Sequence, residues 1–269
     1  MPDPILQIKS LTRRFGSFTA VDALDLSVEP GESFALLGSN GAGKTTTIKM
    51  LTTLLKPTSG DAVVAGFSIT SQPVDVRRAI GYVPQAVSVD GALTGYENLL
   101  IFAKLYALPR ALRETRIREA LEFTALTHVA GRLVREYSGG MIRRLEIAQS
   151  TLHRPSLIFL DEPTGGLDPI ARDAIWEHLT RLRTELGMTI FFTTHYMDEA
   201  QSQCTRLAIM HLGKIAALGT TNQLIDSLGQ GEYTLDDVFV RYAGTALESN
   251  GGGNYRTVKA ERAAAKRRG

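Results

Sequence analysis

The sequence predicts an α/β fold, a mostly parallel sheet covered by helices, with a further block of helices inserted into it. Short β-like apolar runs alternate with stretches of helical periodicity, the pattern of strand–helix–strand units. Two of these runs, Leu157-Ile158-Phe159-Leu160 and Thr189-Ile190-Phe191-Phe192, are apolar at almost every position, so both faces of those strands should be covered. Between residues 86 and 138 the β-like runs stop. There Leu99, Leu100, Phe102, Ala103 and Tyr106, then Ile117, Ala120, Leu121 and Phe123, recur at helical spacing.

In chain order, strands are expected at residues 5–10, 23–28, 33–37, 61–65, 80–83, 157–160, 189–193 and 207–210. One domain of residues 1–243 is expected, with a core of 1–85 and 153–230, a helical subdomain of 86–152 and a closing helix at 231–243. The alternative is that the inserted helices simply face the core of one continuous domain. Asn250-Gly251-Gly252-Gly253-Asn254 reads as a flexible break, and 244–269 as a flexible basic tail without an apolar stripe.

Composition narrows the function classes. With 269 residues, 43% of them apolar and 22% charged, the chain can bury a real core, and disorder throughout is excluded. No apolar run is long enough to cross a bilayer. The start Met1-Pro2-Asp3-Pro4 lacks the basic and apolar regions of a secretory signal, so the chain is expected to stay in the compartment where it is made. A single cysteine, Cys204, rules out an internal disulfide and a cysteine-based metal cluster. The net charge of +2 arises in the tail, where Arg256, Lys259, Arg262, Lys266, Arg267 and Arg268 face only Glu261. The remainder is slightly acidic, so no nucleic-acid partner is expected. The tail could attract anionic lipid headgroups, or be only a solvated end.

The densest chemistry lies in Gly38-Ser39-Asn40-Gly41-Ala42-Gly43-Lys44-Thr45, followed by Thr46, which fits G-x-x-x-x-G-K-[ST]. It follows the expected strand 33–37 and precedes an apolar-periodic helix through Ile48, Leu51 and Leu54, the context a phosphate cradle requires. Glycines let successive backbone N–H groups turn inward around phosphate oxygens, and the helix N-terminus adds partial positive charge. Lys44 would reach the β and γ phosphates, and the Thr45 hydroxyl would ligate Mg²⁺. A glycine-rich turn without a ligand is the bland alternative.

A cradle alone does not distinguish kinases, GTPases and ATPases. The apolar run 157–160 ends in Asp161-Glu162, two carboxylates that leave a strand end in different directions. They suit two tasks, Asp161 holding Mg²⁺ and Glu162 polarising the attacking water; an exposed acidic turn is the alternative. No guanine-reading Asn-Lys-x-Asp occurs.

Tyr137-Ser138-Gly139-Gly140-Met141 opens a helical run through Ile142, Leu145, Ile147 and Ala148. Here the chain resembles the ATP-binding cassette (ABC) family, whose signature is a Ser-Gly-Gly helix start within a helical subdomain. The resemblance implies that Ser138, Gly139 and Gly140 offer backbone N–H groups and a positive helix end to the γ-phosphate of ATP held by another subunit. It further implies an adenine-stacking role for Phe15, and for Gln85, at the end of Gly81-Tyr82-Val83-Pro84-Gln85, both Mg²⁺ contact and a link from the core to the helical insert. Asp168 of Gly166-Leu167-Asp168 would cross the dimer interface, and His195 would contact the γ-phosphate. His128, His153, His178 and His211 have no such placement and read as surface or packing residues.

The segments 137–148, 194–200 and 234–239 look like the ATPase subunits of type-2 drug exporters, the daunorubicin-resistance group. Met141 departs from the general signature but suits this subgroup, whereas Gly165-Gly166 leaves the stiffness of the crossing loop open. The resemblance implies a P-loop NTPase fold, a RecA-like, mostly parallel sheet with an antiparallel β subdomain and the helical insert. It implies ATP and Mg²⁺, and a head-to-tail dimer with a second copy or a homologous ATPase subunit. A separate transmembrane permease would place the chain at the cytoplasmic face of the membrane and export a drug-like or other amphiphilic substrate. The competing reading is a soluble, non-transport ABC ATPase acting on a macromolecular partner.

Overall fold

Ten strands and nine α-helices, counted among the residues 3–229 and 231–244 that the computed structural model describes, sort into two sheets and a helical block. The first sheet is antiparallel, in the order β2-β1-β4-β5, from β1 (Leu6–Phe15), β2 (Phe18–Val28), β4 (Ser59–Val64) and β5 (Phe67–Ser68). The second runs β10-β9-β3-β8-β7-β6, from β3 (Ser33–Leu37), β6 (Ile80–Val83), β7 (Leu157–Asp161), β8 (Thr189–Thr194), β9 (Arg206–His211) and β10 (Lys214–Gly219). All its pairings are parallel except the edge pair β9–β10. The helices are α1 (Lys44–Leu51), α2 (Pro73–Ala79), α3 (Gly95–Leu105), α4 (Arg110–Phe123), α5 (Gly139–Thr151), α6 (Pro169–Leu186), α7 (Met197–Gln203), α8 (Thr221–Asp226) and α9 (Leu235–Ala243).

The apolar strands are covered on both faces, as their composition requires. Phe34, Leu36, Phe159 and Phe191 point into a core shared with α1 and the antiparallel sheet. Their neighbours Ala35, Leu37, Ile158, Leu160, Ile190 and Phe192 point the other way, against α6, α7 and α9. The inserted helices have an apolar cluster of their own, in which Leu99, Ala103, Ile117 and Leu121 meet Leu145 and Ala148 of α5. That helix also sends Ile147 into the core against β7 and α6, so α5 joins the insert to the sheet.

All eight expected strands are present, and the first two are longer than their apolar runs suggested. β1 continues through the polar stretch to Phe15, where it pairs with Phe18 across a tight turn. The short β5 and the edge strand β10 were not expected. Of the expected tail, 244–269, only residue 244 lies within the described residues. Among the described residues no helix is long and apolar enough to cross a membrane.

The register places the chemistry. Leu37 pairs with Thr194, Thr193 with Asp161, and Leu160 with Val83, so the carboxyl ends of β3, β8, β7 and β6 lie side by side. Crevices at that edge are where open α/β sheets hold their ligands.

Candidate active site

The loop after β3 wraps around the start of α1. Gly43 caps the helix at φ 111°, a left-handed conformation open to glycine. A Cβ there would also come within 2.5 Å of the Ala20 carbonyl oxygen, so no other residue fits without movement. Lys44 is only 5% exposed, and its Nζ donates to the carbonyls of Gly38 (2.8 Å) and Ser39 (3.1 Å). It also stands 3.4 Å from Glu162 Oε1. The cation is thus held at the mouth of the loop rather than free in solvent. Asn40, Gly41, Gly43, Lys44, Thr45 and Thr46 line one side of a cleft of about 530 Å³.

The other side comes from β6, β7 and β8. Asp161 ends β7 fully buried; its Oδ1 accepts from Thr193 Oγ1 at 2.6 Å and Thr45 Oγ1 at 3.2 Å, while Oδ2 has no hydrogen-bond partner. Glu162, the next residue, takes φ 48°, a left-handed backbone that costs a residue with a Cβ about 1–3 kcal/mol. Its N–H donates to Thr193 Oγ1 at 3.0 Å, which holds the turn. The turn sends Glu162 away from Asp161 and into the cleft. There Gln85 Nε2 donates to Oε2 at 3.2 Å, and His195 Nδ1 lies 3.2 Å from Oε1, outside hydrogen-bond geometry. One carboxylate therefore gathers Lys44, Gln85 and His195.

A buried floor braces this constellation. Glu199 of α7 accepts from Thr194 Oγ1 at 2.8 Å and from Thr164, tying the loop after Glu162 to the end of β8. Tyr196 lies beside the His195 ring, with centroids 4.1 Å apart, and Arg172 covers Tyr196 at 4.4 Å.

The remaining expected residues lie elsewhere. Ser138 and Gly139 are exposed at the start of α5, where Ser138 Oγ accepts from the Met141 N–H. Asp168 is exposed at the start of α6 and caps it by accepting from the Ala171 N–H. These helix starts adjoin: a Cβ on Gly140 would lie 3.0 Å from Ala171 Cβ, so the glycine permits their approach. None of Ser138, Gly139, Gly140 and Asp168 lines the cleft, and neither does Phe15, which is 46% exposed with Arg13 over its ring at 4.5 Å. The chain thus carries two separate groups of candidate residues.

The donor set fits a hard divalent cation. Thr45 Oγ1 and the unpartnered Asp161 Oδ2 supply oxygen beside the cradle. No cluster of three or more His, Cys, Asp or Glu that could hold a metal occurs among the described residues. The two oxygens of Thr45 and Asp161 suit Mg²⁺, which takes one or two protein oxygens and fills its shell with phosphate oxygens and water.

A sequence model described as ABC transporter matches residues 21–165. The daunorubicin/doxorubicin resistance ATP-binding protein of Streptomyces peucetius is 43% identical over 228 residues, 85% of this chain and 69% of that protein. The chain belongs to the ABC transporter family. The Nod factor export ATP-binding protein I of Cupriavidus metallidurans is likewise 43% identical, over 83% of this chain and 73% of its own. A solved ATP-binding subunit of an ABC transporter superposes with a TM-score of 0.79 at 30% identity, over 88% of this chain and 99% of that one. As an ABC ATPase, the chain couples ATP hydrolysis to transport.

For this ABC ATPase, sequence reasoning missed Thr193, Thr164, Glu199 and Tyr196 as parts of the site. A hydroxyl run ahead of a histidine and a glutamate four positions after it were the available signals, but their partners follow only from the β7–β8 register.

Proposed function

We propose that this chain is the ATP-hydrolysing subunit of an exporter, working as a head-to-tail dimer in which each ATP lies between one cradle and the Ser138-Gly139-Gly140 turn of the opposite copy. The observation that carries this reading is the separation of the two groups: Lys44, Glu162, Gln85 and His195 line the cleft with Asp161 buried behind Thr45, whereas Ser138, Gly139 and Asp168 stand exposed outside it. A helix start that exposes a serine and a glycine, set apart from the cleft on the same chain, supports reading each as half of a composite site.

Within that site Lys44 and the N–H groups of 38–46 would bind the triphosphate and offset its charge. Mg²⁺, held through Thr45, Asp161 and Gln85, would supply further positive charge at the phosphate oxygens. Glu162 would draw the proton from the attacking water, and His195 and Gln85 would orient the reacting groups. Phe15 would stack on adenine. Asp168 would touch the partner's cleft, so that the state of one site reaches the other. Residues 86–152 would move as the helical subdomain, residues 1–85 and 153–230 as the core.

Relatives named for daunorubicin/doxorubicin resistance and for Nod factor export support an exporter with an amphiphilic, drug-like cargo. The path would belong to a separate permease, with this chain docked at its cytoplasmic face.

The test is the Glu162→Gln variant with Mg-ATP. Steady-state hydrolysis should fall by about 10²–10⁴-fold, the worth of a general base, while sedimentation shows an ATP-dependent dimer. A variant that stays monomeric with ATP bound, or hydrolyses at the wild-type rate, would falsify the assignment.

A further inference from the structure

Gln85 leaves the end of β6 on a segment whose backbone is held almost wholly by the helical block. Arg143 of α5 donates through one guanidinium nitrogen to the Pro84 carbonyl (2.7 Å) and through the other to the Gln85 carbonyl (3.2 Å). One turn on, Glu146 accepts from Arg143 (2.9 Å) and from both the N–H (2.6 Å) and the hydroxyl (2.9 Å) of Ser88. Asn98 of α3 completes the grip: its side chain accepts from the Asp90 N–H and donates to the Asp90 carbonyl. Arg143, Glu146 and Asn98 are all buried, although the segment they hold is largely exposed.

Stability alone does not explain such a pair. Removing two charges from water costs several kcal/mol per ion, and apolar pairs of similar volume often serve as well or better. Burial pushes the Glu146 carboxyl above the ordinary range, and Arg143 and the Ser88 donors pull it back. What the pair provides is geometry: a planar guanidinium reaches two successive carbonyls at once, fixing the peptide that carries Gln85. That helix begins at Ser138-Gly139-Gly140, and Gln85 ends on Glu162.

We infer that Arg143 and Glu146 form a positioning clamp that fixes residues 84–88 against α5 and thereby holds the Gln85 side chain in place at Glu162. The inference rests on the composite-site reading above and deepens it. Neither residue touches the cleft; both act through Gln85.

The decisive comparison uses the full-length chain with Arg143→Met and Glu146→Met combined, which removes both charges and retains bulk. The expected result is a thermal midpoint near that of the wild type, a KM for ATP within about twofold, and kcat lower by about tenfold, the range of a catalytic group displaced by less than an ångström. A structural role would add its loss to any other. A clamp acting through Gln85 would not, so in a Gln85→Ala background the double substitution should cost nothing further. Should the double variant not fold, Arg143→Lys keeps Glu146 paired but cannot span both carbonyls, and it should lose kcat in the native background only. Wild-type kcat, or losses that multiply with Gln85→Ala, overturns the clamp. If Glu162→Gln abolishes turnover while the clamp variants run at full speed, the clamp alone fails. Turnover that survives Glu162→Gln removes the reading beneath it and the clamp as well.

Discussion

Two helix starts in this chain are proposed to meet an anion, and they differ in nearly everything but their glycines. At α1 a lysine is folded over the loop, a buried carboxylate and a strained glutamate stand opposite, and a glutamine and a histidine close the circle. At α5 the serine and first glycine lie open, and the serine oxygen is occupied with its own helix. The first carries charge, acid–base groups and metal donors; the second carries only direction, a row of N–H groups and the helix dipole. Under the proposed head-to-tail arrangement, a site divided in this way would work only when two copies close on one ligand, and its hydrolysis rate would report that closure.

The largest effect should come from the rich end. Lys44→Ala removes the cation held beside Gly38, Ser39 and Glu162, and hydrolysis should fall by at least about a hundredfold, the scale of a lost preorganised donor at developing charge. Equilibrium ATP binding should weaken with it. If Lys44→Ala binds and hydrolyses normally, the two helix starts are not different in kind.

The poor end should behave in the opposite sense. Gly139→Asp places a carboxylate at the first turn of α5, where the helix dipole favours it by about 0.3–1 kcal/mol. The new Cβ would meet only the tip of the Leu167 side chain, at 3.3 Å. Thermal stability should therefore hold or rise slightly, and ATP binding to a single copy should persist. In the proposed dimer the new carboxylate would face the partner's triphosphate, so hydrolysis should fall by about tenfold or more. A variant that is both stable and fully active would break the comparison.

A third substitution probes the link inside the cleft. Thr193 Oγ1 donates to Asp161 and accepts the Glu162 N–H, so Thr193→Val leaves that buried donor unpaired at a cost of about 1–3 kcal/mol. Chemical denaturation should register the loss, and turnover should drop less than for Lys44→Ala.

That hydroxyl also marks where sequence reasoning stopped. The cradle, Asp161-Glu162 and the Ser-Gly-Gly turn were legible because each is a contiguous run whose spacing encodes its geometry. Thr193 lies 32 positions from Asp161, and Arg143 lies 59 from Pro84; nothing local marks either pairing. The same holds for the fold. The doubly buried strands announced themselves by unbroken apolar runs, but β10, the antiparallel edge of its sheet, is only partly buried over most of its length and alanine-rich, so its pattern was weak. The polar end of β1 becomes strand only because Phe18 and its neighbours come back to pair with it.

The smallest effect concerns the seam between the two ends. His153 stacks on Tyr106 at 3.8 Å and bonds to the Ile80 carbonyl, and His178 meets Phe123 edge-on at 5.4 Å, both where inserted helices contact the core. Burial depresses both imidazoles to about 4, helped at His178 by Arg144 and Arg181. With folded values below the unfolded value of about 6.5, the unfolded chain binds more protons between them. The stability these residues contribute is present above pH 6.5 and declines as pH falls toward 4. The thermal midpoint should therefore drop with acid even above pH 5, where ordinary carboxylates are still mostly ionised. Substituting both residues by Phe should flatten that slope. A slope left unchanged by the double substitution would mean that groups other than these two imidazoles set the acid dependence.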